Sequence, residues 1–138
     1  MAKTRHGVHS PFVYGFIEQV LLSTSVAVPQ SPIIEGDTMS IPTRYQCLLG
    51  RINEYCKPRA IQIIPIDRID SFIAEKLPLI GSDEVILAPS IHSTVEGSAA
   101  WARLINDPRV RLSIDLYGIG LLFFNKEFKE QQHFILKY

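Results

Sequence analysis

The chain has 138 residues, with 14 Lys and Arg against 14 Asp and Glu, so it carries no net charge, and 46% of it is hydrophobic. That length suits one domain with a real core and is too short for two. The charge balance disfavours nucleic acid and membrane surfaces as partners, and the apolar content excludes overall disorder.

Ser10-Pro11 predicts a helix start, with Ser10 as N-cap and Pro11 at the first helical position, where its missing N–H is not needed. The helix is expected to run to about Ser23, with Phe12, Phe16, Val20 and Leu21 at helical spacing. From Val26 to Ile41, Pro29, Pro32, Gly36 and Asp37 interrupt any period, and a surface loop is expected. A second helix runs from Pro42 to about Tyr55, its apolar face Tyr45, Leu48, Leu49 and Ile52, and Lys57-Pro58 ends it.

Ala60 to Ile64 is continuously apolar, as a strand covered on both faces should be. A helix from about Asp67 to Leu77 follows, then a Gly81-Ser82 turn and a second apolar strand, Glu84 to Ala88. After a loop at Pro89–His92, a helix from about Thr94 to Ile105 carries Trp101, and Asn106-Asp107-Pro108 stops it. Val110 to Leu116 alternates polar and apolar residues, the pattern of a half-exposed strand. Gly118 separates it from an apolar strand, Ile119 to Phe124, and the two are expected to form a hairpin. A charged turn, Asn125 to Gln132, leads to a last short strand, His133 to Tyr138.

Helices that alternate with apolar strands predict an α/β fold in one domain, residues 1–138: N-terminal helices over 10–56 and an α/β core over 60–138. The expected architecture is a three-layer sandwich with a mostly parallel sheet of about four to five strands, ending in an antiparallel hairpin. No apolar run approaches the roughly 20 residues of a membrane span, and the first nine residues lack a signal peptide's apolar stretch. The expected location is cytoplasmic.

Cys47 and Cys56 lie nine positions apart, which on one helix is about 13 Å and too far for a disulfide. Free thiols that act as small buried apolar side chains are expected. His6-x-x-His9 has the spacing of a metal pair but no third ligand nearby in sequence, so local packing is the favoured reading. His92 and His133 have no nucleophile signature beside them, and structural or surface roles are expected. Asp67 and Asp70 stand at a helix start, where carboxylates favour the macrodipole without any ligand.

Two stretches, Arg5-His-Gly-Val-His-Ser-Pro-Phe-Val-Tyr14 and Val110-Arg-Leu-Ser-Ile-Asp-Leu-Tyr-Gly-Ile-Gly-Leu-Leu-Phe-Phe-Asn-Lys126, resemble a bacterial, O-methyltransferase-like branch of the class I S-adenosylmethionine-dependent methyltransferases. Gln132-His-Phe-Ile-Leu-Lys-Tyr138 is similar to the same family's C-terminus. The resemblance implies a Rossmann-like sheet with strand order 3-2-1-4-5-7-6 and a cofactor across the carboxyl ends of strands one and two. The family's first strand ends in Glu-Leu-Gly-x-x-x-Gly, which falls here on Ile63, Ile64, Pro65 and Ile69. A carboxylate and two glycines are thereby replaced by isoleucine, proline and isoleucine, and proline removes a backbone donor. The segment from Leu77 to Glu84 leaves room for a turn and not for strands two to four with their helices. Where relatives carry an Asp-Asp pair, this chain has Pro89-Ser90.

The resemblance therefore implies a shortened domain with degenerate cofactor positions Ile63, Pro65, Ile69, Pro89 and Ser90, no assigned catalytic or metal residue, and no bound S-adenosylmethionine. A non-catalytic structural, interaction or regulatory role is expected. The alternative is an S-adenosylmethionine-dependent methyltransferase or small-ligand binder whose site is rebuilt at a subunit interface. With strands two to four absent the order reduces to 1-5-7-6, which leaves Ala60 to Ile64 at an edge. A homodimer or other oligomer that covers this edge is expected, because uncovered apolar edges aggregate.

Overall fold

The computed structural model describes residues 10–23 and 33–138. Helix α1 spans Pro11–Phe16, and the Ser10 hydroxyl accepts from the Val13 N–H at 3.4 Å. It widens into a π-helical turn, Ile17–Leu21, two residues short of the expected end. Helix α2 spans Thr43–Cys56 and buries Tyr45, Leu48 and Ile52. Lys57 ends it in the left-handed region at φ 46°, its N–H bonded to the Asn53 carbonyl.

The expected loop from Val26 to Ile41 contains a strand, β1, at Ile34–Glu35, while residues 26–32 of that stretch lie outside the described residues. β1 runs parallel to β2, Ala60–Ile63, with Ile34 opposite Ile61. The reason lies in β2: its outer N–H and C=O groups need partners, and the Ile61 N–H reaches the Ile33 carbonyl at 2.8 Å. Ala60–Ile63 is thus an inner strand. The edge that a homodimer was expected to cover is already occupied by β1.

After β2, a 3₁₀ turn at Ile66–Arg68 leads into α3, Ile69–Glu75, and a second 3₁₀ turn at Leu77–Leu79 follows where Pro78 prevents the helix from continuing. Strand β3, Glu84–Pro89, is buried at every position. Helix α4, Val95–Ile105, is capped by Thr94, whose hydroxyl accepts from the Gly97 N–H at 2.9 Å. Strands β4, Leu112–Asp115, and β5, Ile119–Phe123, form the hairpin, and β6, Gln132–Ile135, follows it.

The sheet has six strands in the order β1-β2-β3-β5-β4-β6. It is mixed. The pairs β1–β2, β2–β3 and β4–β6 are parallel, and β5 is antiparallel to both neighbours. The sheet therefore exceeds the expected four to five strands by β1, and the chain's last strand is a parallel one beyond the hairpin. Its inner order β2-β3-β5-β4 corresponds to the reduced order 1-5-7-6.

One core packs α1 and α2 on Ile61, Ile63, Val85, Leu87 and Leu121, and a second packs α3 and α4 on Ile64, Ile86, Ala88 and Leu122. Alternate residues of β3 serve opposite faces, as pleating requires. The result is helices on both faces of one sheet. β4, expected to be half-exposed, is buried at all its residues. Its polar positions are inside because they have partners: Ser113 Oγ lies 2.8 Å from His133 Nδ1, and Asp115 meets His92. No helix among the described residues is long and apolar enough to cross a membrane.

Candidate functional site

Since β5 alone is reversed, β1, β2, β3, β4 and β6 end on the same edge of the sheet. Ligands of open α/β sheets bind beyond such carboxyl ends. Two features stand there, a cavity beside β1 and β2 and a histidine network beyond β3 and β4.

The turn after β2 contains the degenerate cofactor positions. Ile63 is 4% exposed and belongs to the core beneath α1 and α2, whereas Ile64 and Ile69 belong to the opposite core. Their side chains hold the turn down from both sides. The Ile64 N–H is bonded to the Leu87 carbonyl, Pro65 has no N–H, and the Arg68 N–H is bonded to the Pro65 carbonyl. With Pro65 lacking an N–H and those of Ile64 and Arg68 occupied, the turn presents fewer backbone donors to a ligand than a glycine-rich one. On the other side, Gly36 at φ 113° lies against Ile63, and a Cβ there would stand 2.7 Å from the Ile63 carbonyl oxygen. Only glycine allows β1 this approach.

Between these walls lies a cavity of about 370 Å³. Ile63, Ile64, Pro65 and Phe72 form its apolar part, and Asp37, Arg68, Glu75 and Lys76 its charged part. Asp70, at the start of α3, points elsewhere and forms a two-pronged pair with Arg103 of α4 at 3.1 and 3.0 Å. Asp67 is exposed in the 3₁₀ turn.

The histidine network was not legible from residue spacing. His92 Nε2 lies 2.6 Å from Asp115 Oδ2, and His92 Nδ1 lies 3.1 Å from Ser98 Oγ, which is also 3.2 Å from the Ile91 carbonyl. The second Asp115 oxygen accepts from the Tyr117 N–H at 2.8 Å, and the Tyr117 ring stacks on the imidazole at a centroid distance of 5.2 Å. A neutral ring donates Nε2–H to Asp115 and accepts the Ser98 hydroxyl hydrogen at Nδ1. A cationic ring donates from both nitrogens, and Ser98 then donates to the Ile91 carbonyl. Every group is satisfied in either state, and the network joins the loop after β3 to the β4–β5 turn.

Pro89 ends β3 opposite Ile119, and Ser90, at φ 60°, donates its N–H to the Gly118 carbonyl at 2.7 Å. These positions brace the same turn. In the sequence Asp115 stands only as one of three polar positions in the alternating run Val110 to Leu116.

His133, bonded to Ser113, has its pKa lowered by burial. His6 and His9 lie outside the described residues, and no group of three or more metal-ligating side chains occurs among those described. Both cysteines are free, but Cys47 is exposed on the outward face of α2, not buried as expected, with its sulfur 3.2 Å from the Tyr138 hydroxyl. Burial pushes the Cys56 thiol up to about 12. At pH 8 only on the order of one in 10⁴ Cys56 side chains is then the reactive thiolate. A disulfide reagent such as DTNB is expected to titrate Cys47 quickly and Cys56 only after unfolding. Equal rates for the two thiols in the native protein would contradict this placement.

No family model, curated protein or solved structure matches this chain.

Proposed function

We propose that this chain is a non-catalytic, methyltransferase-like domain with a structural, interaction or regulatory role, and that it does not hold S-adenosylmethionine. The observation that carries this reading is the turn after β2, where Pro65 supplies no donor and the Arg68 N–H is spent on the Pro65 carbonyl. The strand order β2-β3-β5-β4 supports descent from the longer sheet. Calorimetric titration with S-adenosylmethionine and with S-adenosylhomocysteine is expected to show no saturable heat up to about 1 mM, a weak-binding limit of about 4 kcal/mol. Saturation at low-micromolar concentration would overturn the reading.

A second reading, a binder of some other small ligand, is favoured by the cavity of about 370 Å³ at the same edge.

A further inference from the structure

The cavity is built from a helical stripe and a strand end. Arg68, Ser71, Phe72, Glu75 and Lys76 recur at three- and four-residue intervals, so they line one side of α3 and the turn that starts it. Gly36 and Asp37, at the end of β1, face them across Ile64 and Pro65. The volume, about 370 Å³, is near the lower end of ligand sites. It equals roughly a dozen waters at about 30 Å³ each.

Polarity is sorted by depth. Ile63, Ile64 and Phe72 are at most 7% exposed and form a floor, while Asp37, Arg68, Glu75 and Lys76 are exposed at the rim. Among the described residues no ion pair joins any two of these four charges. Asp37 uses one oxygen to accept from the Met39 N–H at 2.9 Å and keeps the other. A rim with two cations and two carboxylates meets a purely anionic ligand with repulsion from Asp37 and Glu75, and a purely cationic one with repulsion from Arg68 and Lys76. A molecule that carries both charges on one carbon and an apolar body beyond them satisfies rim and floor together.

We propose that this groove binds a small zwitterion of the α-amino-acid class, with its carboxylate on the Arg68 guanidinium, its ammonium toward Asp37 or Glu75, and its apolar side chain against Phe72 and Pro65. Arg68 suits the task because the guanidinium fork matches a carboxylate in two hydrogen bonds. The inference rests on side-chain charges and not on backbone donors of the turn, although S-adenosylmethionine carries the same α-amino-acid head.

The test is a ¹H–¹⁵N titration of the whole chain with L-phenylalanine, 3-phenylpropionate, which lacks the amine, and phenethylamine, which lacks the carboxylate. L-Phenylalanine is expected to shift the amides of Gly36, Ser71 and Lys76 saturably, with both analogues at least about tenfold weaker. Arg68→Gln is expected to weaken L-phenylalanine by about tenfold or more. Asp37→Asn combined with Glu75→Gln, in which Asn keeps the cap acceptor, is expected to weaken L-phenylalanine and to strengthen 3-phenylpropionate. Both variants alter exposed side chains, and unchanged dispersion of the remaining resonances confirms that they fold. An analogue that binds as tightly as L-phenylalanine, or no saturable shift at these amides, would overturn the proposal. Saturable S-adenosylmethionine binding would overturn the earlier reading, and L-phenylalanine would displace it if this groove holds its α-amino-acid head; failure with L-phenylalanine leaves the earlier reading intact.

Discussion

Gly120→Ala is expected to destabilise the protein by about 2–3 kcal/mol, although alanine normally gains over glycine inside a strand. Gly120 lies in β5 and pairs with Ala88 of β3 on one side and Asp115 of β4 on the other. A Cβ at this position would sit 2.7 Å from Cζ2 and Cζ3 of Trp101, well inside contact distance. Trp101 is 3% exposed in the core beneath α4, and β5 is held by neighbours on both edges. Neither partner has free space to retreat into, so the added methyl becomes strain. Urea denaturation followed by circular dichroism measures the loss. Trp101→Leu, destabilising by itself, is expected to cost less in the Gly120→Ala background than in the natural chain, because removing the indole relieves the clash. Wild-type stability in Gly120→Ala, or strict additivity of the two changes, would show that the indole does not occupy this space.

Asp115→Ala should cost about 3 kcal/mol, since it removes a carboxylate that accepts two hydrogen bonds in a nearly water-free position. Asp115 is 7% exposed and holds His92 Nε2 at 2.6 Å and the Tyr117 N–H at 2.8 Å. Tyr117 is a non-glycine residue at φ 74°, a conformation that needs such an anchor. Asp115→Asn retains a carbonyl oxygen for the Tyr117 N–H and should lose less, about 1–2 kcal/mol. Denaturation midpoints rank the two variants, and the shifts of the His92 ring nitrogens report whether the imidazole has lost its partner. A loss below about 1 kcal/mol for the alanine variant would mean that this network does not brace the β4–β5 turn.

Elements whose ends depend on local chemistry were legible in the chain. Ser10 and Pro11 set the start of α1, Pro42 and Lys57 bracket α2, and the Thr94 hydroxyl caps α4. The apolar runs at Ala60 and Glu84 became β2 and β3 because full burial on two faces leaves no room for polar alternation. β4 shows where that logic stops. Its alternation was real, but the polar positions turned inward to His133 and His92, 20 and 23 residues away in the chain. Polarity alone implies exposure, and buried partners reverse that.

The candidate site divides in the same way. Pro65 and Ile69 announce from sequence alone that the turn after β2 has no glycine and one donor fewer, because φ restriction and the missing N–H belong to the residue itself. That Gly36 and Asp37 come to lie across from Arg68, Glu75 and Lys76 follows only from the pairing of a two-residue strand with β2. Such a strand is too short to have a period, and its formation depends on unpaired N–H and C=O groups elsewhere in the chain. The cavity, its charged rim and the His92–Asp115 contact were therefore decided by tertiary structure, where distant residues meet. The local helices, the buried strands and the loss of a donor follow from residues close together in the chain.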